Sequence, residues 1–216
     1  MNPIVSSLLA FSAAALVLTI TPGVDTAVVL RSAAGSGRRR GAAAALGVAM
    51  GCLAWGLLAA AGLAALLAAS SRAYEALRLL GAAYLGWLGL RLLLRPGRCV
   101  AGPARRGDEA GAPRGVGAPG LAADWLRGLL TNLLNPKVGV FYLSFLPQFV
   151  PHGVWVGGFL FLLACVHVVL SLAWFAVLIA ATAPIGRWLS SRRVARALDR
   201  CTGLVFLAFG ARLAAG

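Results

Sequence analysis

Two short stretches, Thr21-Pro22-Gly23-Val24-Asp25 and Asn135-Pro136-Lys137, interrupt two long apolar segments of this 216-residue chain. Each stretch places a polar residue before a proline and adds one charged side chain, Asp25 in the first and Lys137 in the second. Proline lacks the backbone N–H that a helical turn needs, so each stretch predicts a helix that breaks inside an apolar segment. Matching breaks in the two halves of a chain are the best sequence indication of a transporter's binding site.

The composition indicates an integral membrane protein. Hydrophobic residues make up 60% of the chain and charged residues 12%, whereas a soluble domain has about 25% charged residues. The net charge of +14 comes from arginines placed between apolar segments, where they orient a membrane protein. Nucleic-acid binding is therefore disfavoured, because no soluble domain remains to carry it. The four cysteines show no metal-site spacing, so neither a metal nor a cofactor is predicted.

We predict six transmembrane segments, TM1 to TM6, because a helical span needs about 20 mostly apolar residues. TM1 is broken at Pro22, and TM4 is broken at Pro136 and again near Pro147. The segments cover, in order, residues 3–30, 41–71, 74–94, 126–150, 154–185 and 198–216. A Gly/Pro/Arg-rich linker at 96–120 separates a first unit, residues 1–95, from a second unit, residues 121–216.

The last segment of each half carries a similar sequence. Tyr84-Leu-Gly-Trp-Leu-Gly-Leu-Arg91-Leu92 in TM3 resembles Val205-Phe-Leu-Ala-Phe-Gly-Ala-Arg212-Leu213 in TM6. Together with the matching breaks, this similarity predicts two repeats of three helices each. Because three is an odd number, the second repeat must be inverted in the membrane. The predicted fold is an all-α integral membrane protein of six transmembrane helices, built as two inverted three-helix repeats with broken helices 1 and 4, which is an architecture of secondary transporters.

The arginines also predict the orientation, since cytoplasmic loops carry an excess of Lys and Arg. The predicted outer side has Arg72, Arg78 and Arg212. The connections TM1–TM2, TM3–TM4 and TM5–TM6 carry the larger set: Arg31, Arg38, Arg39, Arg40, Arg91, Arg95, Arg98, Arg105, Arg106, Arg114, Arg127, Arg187, Arg192, Arg193, Arg196 and Arg200. We therefore predict a multi-pass protein of the inner (plasma) membrane, with both termini outside and the basic loops in the cytoplasm.

The two breaks predict a substrate site. Thr and Asn are good helix N-caps and proline is favoured at the first helical position, so both breaks predict helix restarts. A restart exposes backbone N–H groups and the positive end of the helix dipole, which suits a substrate carboxylate. Lys137 adds charge there, and Asp25 is assigned to a substrate ammonium, to a proton, or to a pair with Lys137. The predicted substrate-binding residues are Thr21, Pro22, Gly23, Asp25, Asn135, Pro136 and Lys137.

Other residues carry subsidiary predictions. His167, near the centre of TM5, is interpreted as hydrogen-bonded to a neighbouring helix, with a proton relay as the alternative. Gly47 and Gly51 have GxxxG spacing, which permits close helix packing. Asp199 is predicted to be solvated.

The combined motifs resemble the LysE/RhtB family of amino-acid exporters over nearly the whole chain. The resemblance rests on the Thr-Pro-Gly-x-Asp break at 21–25, the Tyr-Leu-Gly-Trp-Leu-Gly pattern at 84–89 and Asn-Pro-Lys-x-x-x-Phe at 135–141. Val24 stands where family members often have a second proline. The resemblance implies a secondary transporter in membrane lipid that exports amino acids or related metabolites, coupled to protons, with Asp25 as the residue assigned to proton coupling.

Four alternatives stay open on the sequence alone. An exporter of a metal cation would need clustered His, Cys and acidic residues in the membrane, and export of another small metabolite is also compatible with the breaks. A transmembrane thiol relay would need paired cysteines at the breaks, where Asp25 and Lys137 stand. A scaffold without transport predicts that both charges are dispensable. An enzyme is disfavoured, since no nucleophile–base or metal-ligand constellation is visible. The oligomeric state is open as well.

Overall fold

The computed structural model describes residues 2–95, 120–181 and 192–215, so linker residues 96–119 lie outside the described residues. Two shorter elements follow one another in the second half of the chain, a π-helical segment, Phe141–Phe145, and a 3-10 helix, Leu146–Phe149. The described part of the chain is all-helical, as predicted. Its α-helices are α1 (Pro3–Ile20), α2 (Val24–Ser36), α3 (Arg38–Ala69), α4 (Ser71–Leu94), α5 (Leu121–Leu133), α6 (Pro136–Val140), α7 (Val156–Ala180) and α8 (Arg192–Ala215).

The helices have the length and surface of membrane-spanning elements. Three of them are long and apolar enough to cross a bilayer, namely Pro3–Ile20, Arg38–Gly62 and Val156–Ala180, and Leu79–Leu94 is a shorter apolar helix. Large apolar side chains lie on the outside, including Leu80, Leu94 and Trp155. Such a surface suits contact with lipid tails, which are as apolar as leucine. The count of six spanning segments stays a prediction.

The first predicted break is present, but the helix restarts later than the sequence suggests. α1 ends at Ile20 and α2 begins at Val24, with Gly23 rather than Thr21 at the N-cap. The hydroxyl of Thr21 donates instead to the carbonyl of Val17 at 2.7 Å. It therefore satisfies a carbonyl at the end of α1, and the prediction that Thr21 caps the following helix is wrong.

The second predicted break has the expected geometry. Asn135 is the N-cap of α6, and its Oδ1 accepts a hydrogen bond from the backbone N–H of Lys137 at 3.1 Å. Pro136 occupies the first turn of α6, where its missing N–H costs nothing. The regular helix lasts only to Val140 before the π-helical segment, and Pro147 lies in the 3-10 helix that follows. The second irregularity predicted near Pro147 is therefore also confirmed.

Glycines allow α3 and α5 to pack backbone to backbone. A Cβ atom on Gly47 would lie 2.0 Å from the carbonyl oxygen of Trp125, and one on Gly128 would lie 2.1 Å from that of Ala44. Gly51 likewise faces Asn132. In order along α3, Arg40, Gly47 and Gly51 contact Asp124, Trp125 and Asn132 of α5. These contacts advance in the same direction on both helices, so α3 and α5 run parallel. The close packing predicted from the spacing of Gly47 and Gly51 is confirmed.

α4 and α8 form a second close pair. A Cβ on Gly89 would lie 2.7 Å from the carbonyl oxygen of Gly203, and a Cβ on Gly203 would lie 2.8 Å from that of Gly89. Gly210 approaches the carbonyl of Ala82 in the same way, at 3.0 Å. The contacts on α8 run in the reverse order of those on α4, so this pair is antiparallel.

A buried carboxylate joins the ends of α2, α3 and α5. Asp124 is 2% exposed and accepts hydrogen bonds from Ser32 Oγ at 3.1 Å and from Arg40 Nε. Arg127 Nη1 lies 3.8 Å from the same carboxylate. A buried charge needs such partners, because removing it from water is costly. Asp199 is buried too, at 1% exposure, which contradicts the prediction that it is solvated. Asp199 lies on α8, and the packing of α8 along α4 covers its side chain.

Candidate functional site at the two helix breaks

Asp25 brings the two breaks together. Its side chain stands in the first turn of α2, where the helix dipole favours a carboxylate. The Oδ2 atom accepts hydrogen bonds from Asn132 Nδ2 at 2.9 Å and from Asn135 Nδ2 at 3.3 Å. Asn132 is the last polar residue of α5 and Asn135 caps α6, so one carboxylate joins the first break to both sides of the second. The pair between Asp25 and Lys137 considered from the sequence stays a prediction.

The second oxygen of the Asp25 carboxylate is in a different environment from Oδ2. Asp25 Oδ1 is buried and has no hydrogen-bond partner among the described residues, and Asn132 Oδ1 is in the same condition. Buried polar atoms are almost always paired, so such orphaned acceptors call for a donor that the protein itself does not supply. A substrate ammonium, a proton or water is a donor of this kind.

A small cavity lies beside Asp25. Its volume is about 40 Å³, which is room for about three water molecules and not for an amino acid. The predicted residues Thr21, Gly23, Asp25, Asn135 and Lys137 all line it, and the other lining residues are Leu18, Thr19, Thr26, Val48, Cys52, Val138, His167, Ser171 and Phe175. Pro22 and Pro136 face a second, larger cavity instead. The inner cavity therefore has too little free volume for a substrate in the conformation described.

His167 closes the far side of the inner cavity. The residue is buried, and its Nδ1 is 2.9 Å from the hydroxyl of Tyr142 in the π-helical segment. The predicted hydrogen bond between His167 and a neighbouring element is therefore confirmed. The ring of Phe141 also packs against the imidazole, with 5.3 Å between ring centroids. A π-helical turn often marks a functional position, and here it aims Tyr142 at α7.

Several polar residues at the site escaped prediction. Asn132 is fully buried and also donates to Cys52 Sγ at 3.4 Å. Its position three residues before Asn135, as a second asparagine beside the break, is a signal that could have indicated it. Thr202 of α8 contacts Thr21 through the two hydroxyl groups. No sequence feature near Thr202 indicated that contact, because it depends on how α8 packs.

Comparison with known proteins identifies the family. A profile of the LysE type translocator family matches residues 16–216. The chain belongs to the LysE type translocator family. It is therefore a membrane translocator and not an enzyme, as predicted. No solved structure matched this translocator.

Individual relatives cover almost the entire chain. The leucine efflux protein of Salmonella choleraesuis is 32% identical over 93% of this chain and 91% of its own length. The leucine efflux protein of Enterobacter sp. is 34% identical over 91% of this chain and 90% of its own length. The uncharacterized membrane protein YrhP of Bacillus subtilis is 27% identical over 94% of this chain and 96% of its own length.

The contact between Asp25 and Asn132 is expected to contribute measurably to folding. We predict a coupling energy of about 1–3 kcal/mol in a double-mutant cycle that combines Asp25→Ala with Asn132→Ala. Either substitution alone removes the buried hydrogen bond to the charged group, so the double variant loses no further free energy from that bond. The measurement is the unfolding free energy of the four proteins in detergent.

The matched control cycle combines Asn132→Ala with Asp124→Ala. These residues lie eight positions apart on α5, which is about 12 Å along the helix, and share no hydrogen-bond partner. Their effects should add within about 0.5 kcal/mol. If the changes in unfolding free energy caused by Asp25→Ala and Asn132→Ala also add within about 0.5 kcal/mol, the hydrogen bond between the two side chains is contradicted.

Proposed function

We propose that this translocator exports amino acids or close derivatives across the inner membrane. The observation that carries the proposal is the meeting of opposite charges at the two breaks. Asp25 offers an unpartnered buried oxygen, and Lys137 lines the same small cavity. An amino acid carries an ammonium and a carboxylate on one carbon, and it needs an acceptor and a cation placed close together. The relatives named leucine efflux proteins support an amino acid as the substrate.

The proposed roles follow from this arrangement. The substrate ammonium donates to Asp25 Oδ1, and Lys137 binds the carboxylate together with backbone N–H groups at the start of α2. Thr21, Pro22, Gly23, Asn135 and Pro136 shape the two breaks around these groups. Because the inner cavity is too small for an amino acid, substrate entry requires the breaks to separate. Loss of the bonds from Asn132 and Asn135 to Asp25 is the proposed first step of that opening.

We also propose that six spanning segments form two inverted repeats. α3 and α5 run parallel and α4 and α8 run antiparallel. These directions are the ones expected when successive segments alternate in direction and the second repeat is inverted. With the basic loops in the cytoplasm, both termini lie outside.

Coupling to protons is proposed to run through Asp25. A carboxylate inside a membrane protein is costly to bury and is generally functional. Asp25 bridges both breaks through Oδ2, so a proton on it weakens its hold on Asn132 and Asn135. Protonation and opening of the breaks are therefore linked in this proposal, and deprotonation restores the closed arrangement. A pair between Asp25 and Lys137 belongs to the open state.

The described residues give less support to a metal cation as the exported substrate. No group of three or more His, Cys, Asp and Glu side chains comes together within residues 2–95, 120–181 and 192–215. A divalent metal is nevertheless tested beside the amino acids in the export experiment.

Lys137 is the first residue to test. Cells loaded with labelled leucine, other neutral amino acids, lysine, glutamate and a divalent metal are expected to lose neutral amino acids faster when they make the wild type. Lys137→Ala should slow this loss roughly 10- to 100-fold, since a charged hydrogen bond contributes about 1.5–3 kcal/mol. Lys137→Arg should retain part of the activity, and Arg193→Gln, at an exposed site on α8, should retain all of it. Wild-type rates in Lys137→Ala would remove Lys137 from the site, and no export of any amino acid by wild type would overturn the function.

Asp25→Asn tests proton coupling. The asparagine carbonyl can still accept from Asn132 and Asn135, but more weakly than a carboxylate, so the variant is expected to fold and to mimic the protonated state of Asp25. In proteoliposomes, an imposed pH gradient should accelerate wild-type leucine efflux several-fold and leave the variant unaffected. Glu75→Gln, which changes an exposed carboxylate on α4, should respond like wild type. A variant with the wild-type rate and pH dependence would eliminate the proton role of Asp25.

Reporter fusions test the orientation. Alkaline phosphatase joined after Gly216 should be active, because that enzyme folds only outside the cytoplasm, and a green fluorescent protein at the same position should stay dark. Both signals should reverse for insertions within linker residues 96–119. A fluorescent C-terminal fusion would contradict the proposed orientation.

A further inference from the structure

A second cavity adjoins the break site and is large enough for a substrate. Its volume is about 510 Å³, within the range of roughly 300–1,000 Å³ typical of small-molecule sites. We call it the vestibule. It lies between the two breaks and the C-terminal half of α4, and it is lined by Pro22, Gly23, Val24, Tyr84, Trp87, Leu88, Arg91, Leu92, Arg95, Thr131, Leu134, Asn135, Pro136, Lys137 and Asp199.

The vestibule and the inner cavity share three lining residues. Gly23, Asn135 and Lys137 border both spaces. These residues belong to the two breaks, so the breaks lie between a small cavity of about 40 Å³ and a larger one of about 510 Å³. A molecule in the vestibule would reach Asp25 by displacing only these residues.

The charges of the vestibule favour an anionic group. Three cations line it, Arg91, Arg95 and Lys137, against one carboxylate, Asp199. The guanidinium of Arg91 lies over the ring of Trp87, with 5.2 Å from Cζ to the ring centroid. Neither Arg91 nor Arg95 has an acidic ion-pair partner within the described ranges. Stacking holds the planar guanidinium in place and leaves its N–H groups available to a carboxylate, which an arginine binds with two parallel hydrogen bonds.

The remaining lining is mainly apolar. Trp87, Leu88, Leu92 and Leu134 present aromatic and aliphatic surface next to the guanidinium of Arg91. Trp87 and Leu134 are largely exposed, at 51% and 78%. A ligand with a carboxylate at one end and an aliphatic side chain at the other matches this combination.

We infer that the vestibule is a second substrate site, in which Arg91 binds the carboxylate of an aliphatic amino acid before it passes the breaks. The inference rests on the proposed function and adds a position to it. Arg91 and Arg95 lie at the predicted cytoplasmic end of α4, so the vestibule is the entrance for export. In the conformation described, the substrate occupies the vestibule because the inner cavity cannot hold it.

Equilibrium binding to purified protein tests the vestibule. The probes are labelled leucine and leucinamide, which lacks the carboxylate, and the protein is held in nanodiscs of neutral phosphatidylcholine. We expect wild type to prefer leucine over leucinamide by about 10-fold or more, and Arg91→Gln to lose that preference while its affinity for leucine falls by the same factor. Arg91→Lys keeps the charge without the planar fork and should fall between the two. Arg31→Gln changes an exposed arginine within α2 that lines neither cavity, and it should behave as wild type.

Each outcome separates this site from the proposed function. If wild type exports and binds leucine while Arg91→Gln keeps its affinity and its preference, the vestibule site is overturned and the exporter stands. If the effect of Arg91→Gln appears only after phosphatidylglycerol is added to the nanodiscs, Arg91 binds an anionic lipid headgroup and the inference fails. If wild type neither exports nor binds any amino acid of the panel, both the function and the vestibule ligand are overturned.

Discussion

The hydrogen bonds from Asn132 and Asn135 to the carboxylate of Asp25 are the contact on which the site depends. Broken helices leave backbone N–H and C=O groups unpaired, and such groups cannot face lipid. They are tolerated here because each break meets the other inside the protein. Asp25 makes that meeting specific, since its carboxylate requires donors and the second break supplies two. The prolines cause the irregular backbone, and this one contact between the breaks makes both that backbone and the buried charge tolerable.

The surrounding helices hold the breaks at that distance. α3 packs closely on α5 through Gly47 and Gly128, which fixes Asn132 beside Asp25. Aromatic rings secure the other end of the broken segment, where Phe145 contacts Phe209 of α8 with 4.2 Å between centroids. Asp124 and Arg40 connect the start of α5 to the start of α3. Packing inside a membrane relies on close approach and hydrogen bonding because water supplies no hydrophobic driving force there.

The sequence predicted the helical class, both breaks and the cap at Asn135, because proline chemistry and N-capping act locally. The sequence placed the first restart wrongly. The Thr21 hydroxyl could accept from an amide of the following helix or donate to a carbonyl of the preceding one, and it donates to the carbonyl of Val17. The burial of Asp199 and Asp124 could not be predicted from the sequence, for a different reason. Acidic residues near the ends of apolar segments are exposed or buried according to which helix covers them, and helix pairing is a tertiary property. The vestibule was missed on the same grounds, although every residue that forms it is visible in the sequence.

The backbone contact between α3 and α5 also has a mechanical consequence. At Gly47 and Gly128 the two helices touch where no side chain can yield, so sliding one along the other would drive a carbonyl oxygen into a neighbouring Cα within a fraction of a helical turn. Side-chain contacts can rearrange by changing rotamers, but this one has a single register. The two helices therefore behave as one rigid strut. Changes in shape then fall on irregular segments outside it, namely residues 134–135, which join α5 to α6, and residues 21–23, which join α1 to α2.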